Sequence, residues 1–371
     1  MQILHTHTYS FQVTLSQTKL VADASSRIGT TNSLFAVVYL TNGESVHLEL
    51  EAQDGTSGLI NSDWHLLKFN GYQRPETPSV LRCKPQIDGD DTLQLANCNA
   101  NKEETPAFKS FDNNEIELEK NNFYKITLSA DFATNADCSD LGIGISETLD
   151  ARSNFVSSVG ATKPLLESFQ GYHIPSSVLA YSGSDDNLLS HSLQFNLHLP
   201  EFTCDIAKAN AIANAHLEIV KEPSNTEIVI CSNNDKEVLN TVSYKECFGS
   251  TSAMERSVGQ NSGRFTAPKD GYYFITFSGT LVSDQGSRIW INICKKSQNQ
   301  ESVVGAGFTG LYHNLGKESV EGLVLQTHPT ITTIEKLKKN DQIWVSIGRN
   351  QAKSMLKTSQ KNPALFTIKM L

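Results

Sequence analysis

The sequence predicts an all-β protein made of tandem antiparallel β-sandwiches. Three observations predict it. Apolar and polar residues alternate along many short runs, which is the pattern of a half-buried strand. Long helical periodicity is nearly absent. The chain also repeats itself at fixed spacings, and such a repeat organises the whole fold.

The alternating runs come in order. Phe11, Val13 and Leu15 form the first, and Val46, Leu48 and Leu50 the next. Ile126 and Leu128 follow, then Ile143 and Ile145, then Leu193, Phe195, Leu197 and Leu199. Ile289, Ile291 and Ile293 make another run, and Ile343, Val345 and Ile347 the last. Clusters of Gly, Asn, Asp and Ser separate them, as turn residues do. One stretch departs from the pattern. The Ala-rich segment 205–216 reads as a linker or a short helix at a domain boundary.

Two correspondences set the repeat. Cys83 and Cys98 are 15 apart, and Cys231 and Cys247 are 16 apart. Cys98 precedes Tyr124 by 26 residues, and Cys247 precedes Tyr273 by the same 26. Leu40 and Leu337 each open a polar turn before an alternating strand, and Phe69 and Phe366 follow them by 29 residues. The chain therefore reads as three copies of one β unit: 1–74, with only the final strands; 75–203, degenerate in its last third; and 204–371, complete. Half a sandwich leaves unpaired strand edges. The rest of the first copy is expected from upstream sequence or from another chain.

Composition narrows the function. The 371 residues fill two or three domains at about 100–200 residues each. A net charge of -9 disfavours nucleic acid as a partner, which needs a dense basic surface. No apolar run reaches the roughly 18 residues of a spanning helix, so no membrane insertion is expected. The N-terminal residues lack a signal-peptide pattern. There are seven cysteines, an odd number, and no CxxC, so no zinc ribbon or thiol redox motif is indicated. The pairs Cys83–Cys98 and Cys231–Cys247 are either matching disulfides or small buried core thiols.

The segment GRFTAPKDGYYFITFSGTL, 263–281, resembles the signature of the complement C1q head domain, in the C1q/TNF-like superfamily. Gly263, Phe265, Ala267, Pro268, Gly271, Tyr273 and Phe277 carry the match. Leu337, Asp341, Ile343 and Trp344 resemble a second family strand, with Asn340 where the family has glycine. The resemblance covers most of the third copy. In the second it rests on NNFYKITLSADF, and in the first on the last strands. It implies ten-stranded jelly rolls, secretion and trimeric assembly, here a trimer or a pseudo-trimer of heads. Trp290 and Trp344 fall between core positions and point outward. Each is a rim residue under a loop, an oligomer-interface residue or a ligand contact.

Catalytic chemistry is not signalled. No GxSxG, HExxH or GxxxxGK[ST] motif occurs, and the glycines at 142 and 144 lie inside a strand. No enzyme is expected. His5 and His7 share a strand face, but read as exposed residues near a chain end. Calcium is a possible cofactor, through Asp88, Asp90, Asp91, Asp185 and Asp186, although solvated turns explain these equally well. The leading expectation is a secreted, lectin-like recognition protein of innate immunity, binding glycans or microbial and cell surfaces through several heads. The alternatives are a matrix, adhesive or storage protein and a TNF-like receptor ligand.

Overall fold

The computed structural model describes residues 8–15, 19–27, 46–52, 79–87, 93–100, 108–112, 115–119, 122–133, 142–149, 152–160, 171–182, 191–198, 212–233, 241–244, 246–259, 262–279, 281–284, 289–309, 324–327, 330–349, 355–356 and 364–371. It is dominated by antiparallel β-strands, as the alternation predicts. Every alternating run listed above falls in a strand as far as it is described; Leu199 lies outside the described residues.

The first unit contributes β1 (Thr8–Leu15), β2 (Lys19–Arg27) and β3 (Val46–Ala52). They form one antiparallel sheet in the order β2-β1-β3, with Phe11 facing Ala24 on one side and Leu50 on the other.

The second unit runs through β4 (Val80–Ile87), β5 (Leu93–Ala100), β6 (Phe108–Asp112), β7 (Glu115–Leu118) and β8 (Asn122–Ala133). It continues with β9 (Gly142–Leu149), β10 (Arg152–Gly160), β11 (Gly171–Ser182), β12 (His191–His198) and β13 (Ile212–Lys221). Two five-stranded sheets result, ordered β11-β8-β13-β4-β5 and β10-β9-β12-β7-β6.

The third unit begins with β14 (Ile228–Asn233), β15 (Glu246–Gly249), α1 (Ser252–Arg256), β16 (Val258–Gly259), β17 (Arg264–Thr266) and β18 (Gly271–Ser278). It goes on through β19 (Leu281–Asp284), β20 (Ile289–Ser297), β21 (Gln300–Thr309), β22 (Val324–Thr327), β23 (Thr330–Leu337), β24 (Gln342–Arg349), β25 (Met355–Leu356) and β26 (Ala364–Met370). Its main sheets are β15-β14-β26-β18-β23 and β16-β17-β24-β20-β21, with a small sheet β22-β19-β25 beside them.

The two orders match strand for strand. Replacing β14, β15, β18, β23 and β26 by β4, β5, β8, β11 and β13 turns one sheet into the other. The same holds for β16, β17, β20, β21 and β24 against β6, β7, β9, β10 and β12. The first unit's β2-β1-β3 corresponds to β21-β20-β24. One rule of connection is thus used throughout.

One boundary differs from the sequence reading. The Ala-rich stretch is not helical from Ile212 onward. It is β13, paired with β4 and β8 inside the second unit's sheet. The passage between units therefore falls at 222–227 and not at 203/204. The reason is physical: helix propensity is a weak local preference, and burial of Leu217 and Ile219 between two strands overrides it.

The third unit's core lies between its two main sheets. Tyr273, Ile275 and Phe277 from β18 and Phe366 and Ile368 from β26 meet Phe265, Ile291, Ile293, Ile343 and Val345 from the other sheet. All are fully buried. Two sheets that interdigitate alternate residues in this way make a sandwich. At one end α1 is capped by the Thr251 hydroxyl, which accepts the Met254 N–H at 3.2 Å, and Met254 closes the core there.

Candidate functional site

The residues that carry the resemblance lie in the turns and core of the third unit. Gly263 has φ +61°, and a Cβ there would stand 1.8 Å from the Val242 carbonyl oxygen. Only glycine fits that turn. Phe265 and Tyr273 meet edge-on across the two sheets at 5.7 Å. Pro268 sits in the turn that leads into β18, and Gly271 opens that strand against Met370. Asn340 has φ 73°, the left-handed conformation that asparagine tolerates best after glycine. Asparagine at this position thus needs no glycine to make the turn.

Both cysteine pairs are disulfides, Cys83–Cys98 and Cys231–Cys247. Each joins the corresponding two neighbouring strands of its unit, β4 to β5 and β14 to β15. Cys294 is a free thiol, half-buried, with Sγ 3.3 Å from the Ser346 Oγ. Burial pushes its pKa up, so the thiol stays protonated and weakly nucleophilic. Cys138 and Cys204 lie outside the described residues.

Trp344 points away from the core. It is only 6% exposed, because the Arg264 guanidinium lies over its ring at 4.1 Å. Arg264 is in turn held by Gln342 Oε1 at 3.0 Å. The outward ring is thus covered by a cation–π contact from the adjacent strand of its own sheet. The backbone of Trp290 pairs with Phe308 and Gly348, and its side chain is outside the described residues. His5, His7, Asp88, Asp90, Asp91, Asp185 and Asp186 also lie outside them. Among the described residues no group of three or more His, Cys, Asp or Glu is placed to hold a metal.

The structure instead brings together residues that single motifs did not flag. They lie where the second and third units meet. In β8, Tyr124 and Ile126 face their own core, so Phe123 and Lys125 face out. In β18, Tyr273 and Ile275 face in, so Phe274 faces out. Phe123 packs against Ile228 and Ile230 of β14. The Lys125 ammonium sits 3.9 Å from the centre of the Phe274 ring. Both residues are nearly inaccessible, at 2% and 3%. A desolvated cation over an aromatic face is worth about 2 kcal/mol.

The connecting segment joins the same contact. The Lys221 N–H donates to the Ser79 carbonyl at 2.9 Å and the Glu222 N–H to the Phe123 carbonyl at 2.8 Å. Lys221 also pairs with Glu119. Glu222 is buried and forms an ion pair with Lys369 of β26, also buried. Nearby, Glu218 is buried under Arg82, with Nε to Oε2 at 2.8 Å. Buried charges persist only when paired, so this layer fixes which residues face which.

The chemistry of the face is that of packing. Lys221 is paired with Glu119 and Lys369 with Glu222, and the Lys125 ammonium lies over the Phe274 ring. A signal for it did exist in the sequence. Counting 26 residues from Cys98 and Cys247 reaches Tyr124 and Tyr273, so the next residues, Lys125 and Phe274, hold equivalent positions, one charged and one apolar. No family model matches the chain, and no curated protein matches it in sequence. Among the described residues no helix is long and apolar enough to cross a membrane.

Proposed function

We propose that the chain is a secreted, non-catalytic recognition protein of the C1q/TNF-like kind. Its jelly-roll heads bind glycans or microbial and cell surfaces, and they pack together within one chain as a pseudo-trimer. The observation that carries this reading is the contact of Lys125 with Phe274. Equivalent positions of two like units touch only when the units are arranged about a common axis. The strand orders support the jelly roll, since both five-stranded sheets of each complete unit are wound in one pattern. The two disulfides favour an oxidising compartment. Loops on such a rigid sandwich suit surface recognition.

The test is a binding screen of the native chain against a glycan array and whole bacteria, with calcium and then with chelator. Saturable binding that free sugar competes away is the expected result. Loss in chelator would add calcium to the site. No binding at high valency would sink the recognition reading and leave a structural or receptor-ligand role.

A further inference from the structure

One end of the third unit carries cations that the fold does not use. Two turns meet there. The Ala267 N–H donates to the Asp341 carbonyl at 2.8 Å, and the Asn340 N–H to the Ala267 carbonyl at 2.9 Å. The carboxylates on these turns point at backbone. Asp270 Oδ1 accepts the Lys339 N–H at 2.7 Å, and Asp341 Oδ2 accepts the Lys338 N–H at 2.9 Å. Lys295 leans on the same place, 3.9 Å from Asp341.

The lysine side chains are left pointing outward. Lys336, Lys338 and Lys339 are all exposed, and among the described residues none of the three pairs with a carboxylate. Lys269 differs, because Glu227 holds it at 3.0 Å. Beside them is Tyr272, 54% exposed, directly across from Lys336 on the neighbouring strand. The Lys336 ammonium stands 5.7 Å from the centre of the Tyr272 ring.

Like charges carried close together in the sequence repel, and an exposed aromatic ring stays in contact with water at a cost. The chain as a whole is acidic, at -9. A basic patch with an open ring runs against that balance. It matches one ligand chemistry well. A sugar ring lays its apolar face on an aromatic ring, and an acidic substituent reaches an ammonium held alongside.

We infer that the edge formed by Tyr272, Lys336, Lys338 and Lys339 binds an acidic polysaccharide, one whose sugar rings carry sulfate or carboxylate groups. This rests on the glycan-recognition reading and names the ligand class. Neighbouring sulfates or carboxylates on one polymer would engage the three lysines together, while the ring selects a saccharide over a bare polyanion.

The experiment uses the full oxidised chain and three probes: heparin, neutral dextran and inorganic polyphosphate. Heparin binds and dextran does not. The triple variant Lys336→Gln, Lys338→Gln, Lys339→Gln weakens heparin binding by about tenfold, from three exposed charge contacts of modest strength. These changes keep the turn, because Asp270 and Asp341 hold backbone N–H groups, and an unchanged melting curve checks that. Tyr272→Ala weakens heparin and leaves polyphosphate as it was. Lys296→Gln, whose lysine is paired with Glu301, changes nothing. The inference is overturned if wild type and the triple variant bind heparin alike, or if Tyr272→Ala lowers heparin and polyphosphate equally. If bacteria or neutral glycans bind but heparin does not, this inference fails and the recognition reading stands. If nothing binds, both fail.

Discussion

The second and third units share an interior and differ in their outward faces. Inside, the copies agree. Tyr124 and Tyr273 occupy one position, both fully buried, and each hydroxyl bonds the chain just before it. The disulfides join the same pair of strands. Outside, the copies part. Lys125 stands where the third unit has Phe274. The register of β13 and β26 against β8 and β18 aligns Glu218 with Thr367 and Val220 with Lys369. A core tolerates only residues that refill the same volume. A face has to suit whatever lies against it, and here each unit lies against the other. Complementary faces on two like units make a contact in which the units have different roles.

The largest expected effect tests that complementarity. Lys369→Met removes the ammonium paired with the buried Glu222 carboxylate, at a cost of about 3–5 kcal/mol. Adding Glu222→Leu should recover most of that loss, because a buried pair replaced by apolar groups is close to neutral. Denaturant unfolding of the single and double variants measures both. Equal losses in the two variants would mean that pairing is not what the contact needs.

Next is the likeness of the interiors. Removing either disulfide by Cys→Ser should cost about 3 kcal/mol, since both loops are close to 15 residues long. Near-equal drops for Cys83/Cys98 and Cys231/Cys247 would sharpen the comparison. A large inequality would break it.

The smallest effects come from the tyrosines. Tyr124 both accepts the Glu119 N–H at 3.0 Å and donates to the Glu119 carbonyl at 3.1 Å. Tyr273 makes one bond, to the Lys269 carbonyl at 2.8 Å. The hydroxyl of Tyr244 is buried with no partner among the described residues, and its ring stacks on Phe366 at 5.2 Å. Substitution by Phe should cost about 1–2 kcal/mol at Tyr124, about 1 at Tyr273 and nothing at Tyr244. Burial raises the pKa of all three above the ordinary 10.0. The folded chain keeps these protons where the unfolded chain begins to lose them. Their contribution is therefore complete below pH 10 and falls as pH rises beyond it. Unfolding curves at rising pH should show that loss, and less of it in Tyr244→Phe.

Much of this architecture can be read from residues alone. Alternation located β1, β3, β8, β9, β12, β20 and β24, because a strand half in a core must alternate. The cysteine-to-tyrosine spacing paired the two complete units. β13 escaped, because its alanines favour helix locally while its strand partners, β4 and β8, are remote in sequence. Trp344 was legible as outward-facing. Its cover was not, because Arg264 lies 80 positions earlier and meets it only through the pairing of β17 with β24. The contact between units was hidden for a similar reason. Lys125 and Lys369 look like ordinary solvated lysines until the faces are brought together.

The tether between the units bears on how the protein meets proteases. Between Lys221 and Ile228 the exposed residues are Ser224 and Asn225, at the tip of a turn closed by the Thr226 N–H on the Pro223 carbonyl at 3.0 Å. On one side Glu222 is fastened to Phe123, and on the other the Met370 N–H holds the Glu227 carbonyl at 2.8 Å. An exposed tip is where nicking starts. Both new ends would remain pinned by their backbone bonds and by the Glu222–Lys369 pair, so a cut at this tip divides the chain without separating the two units.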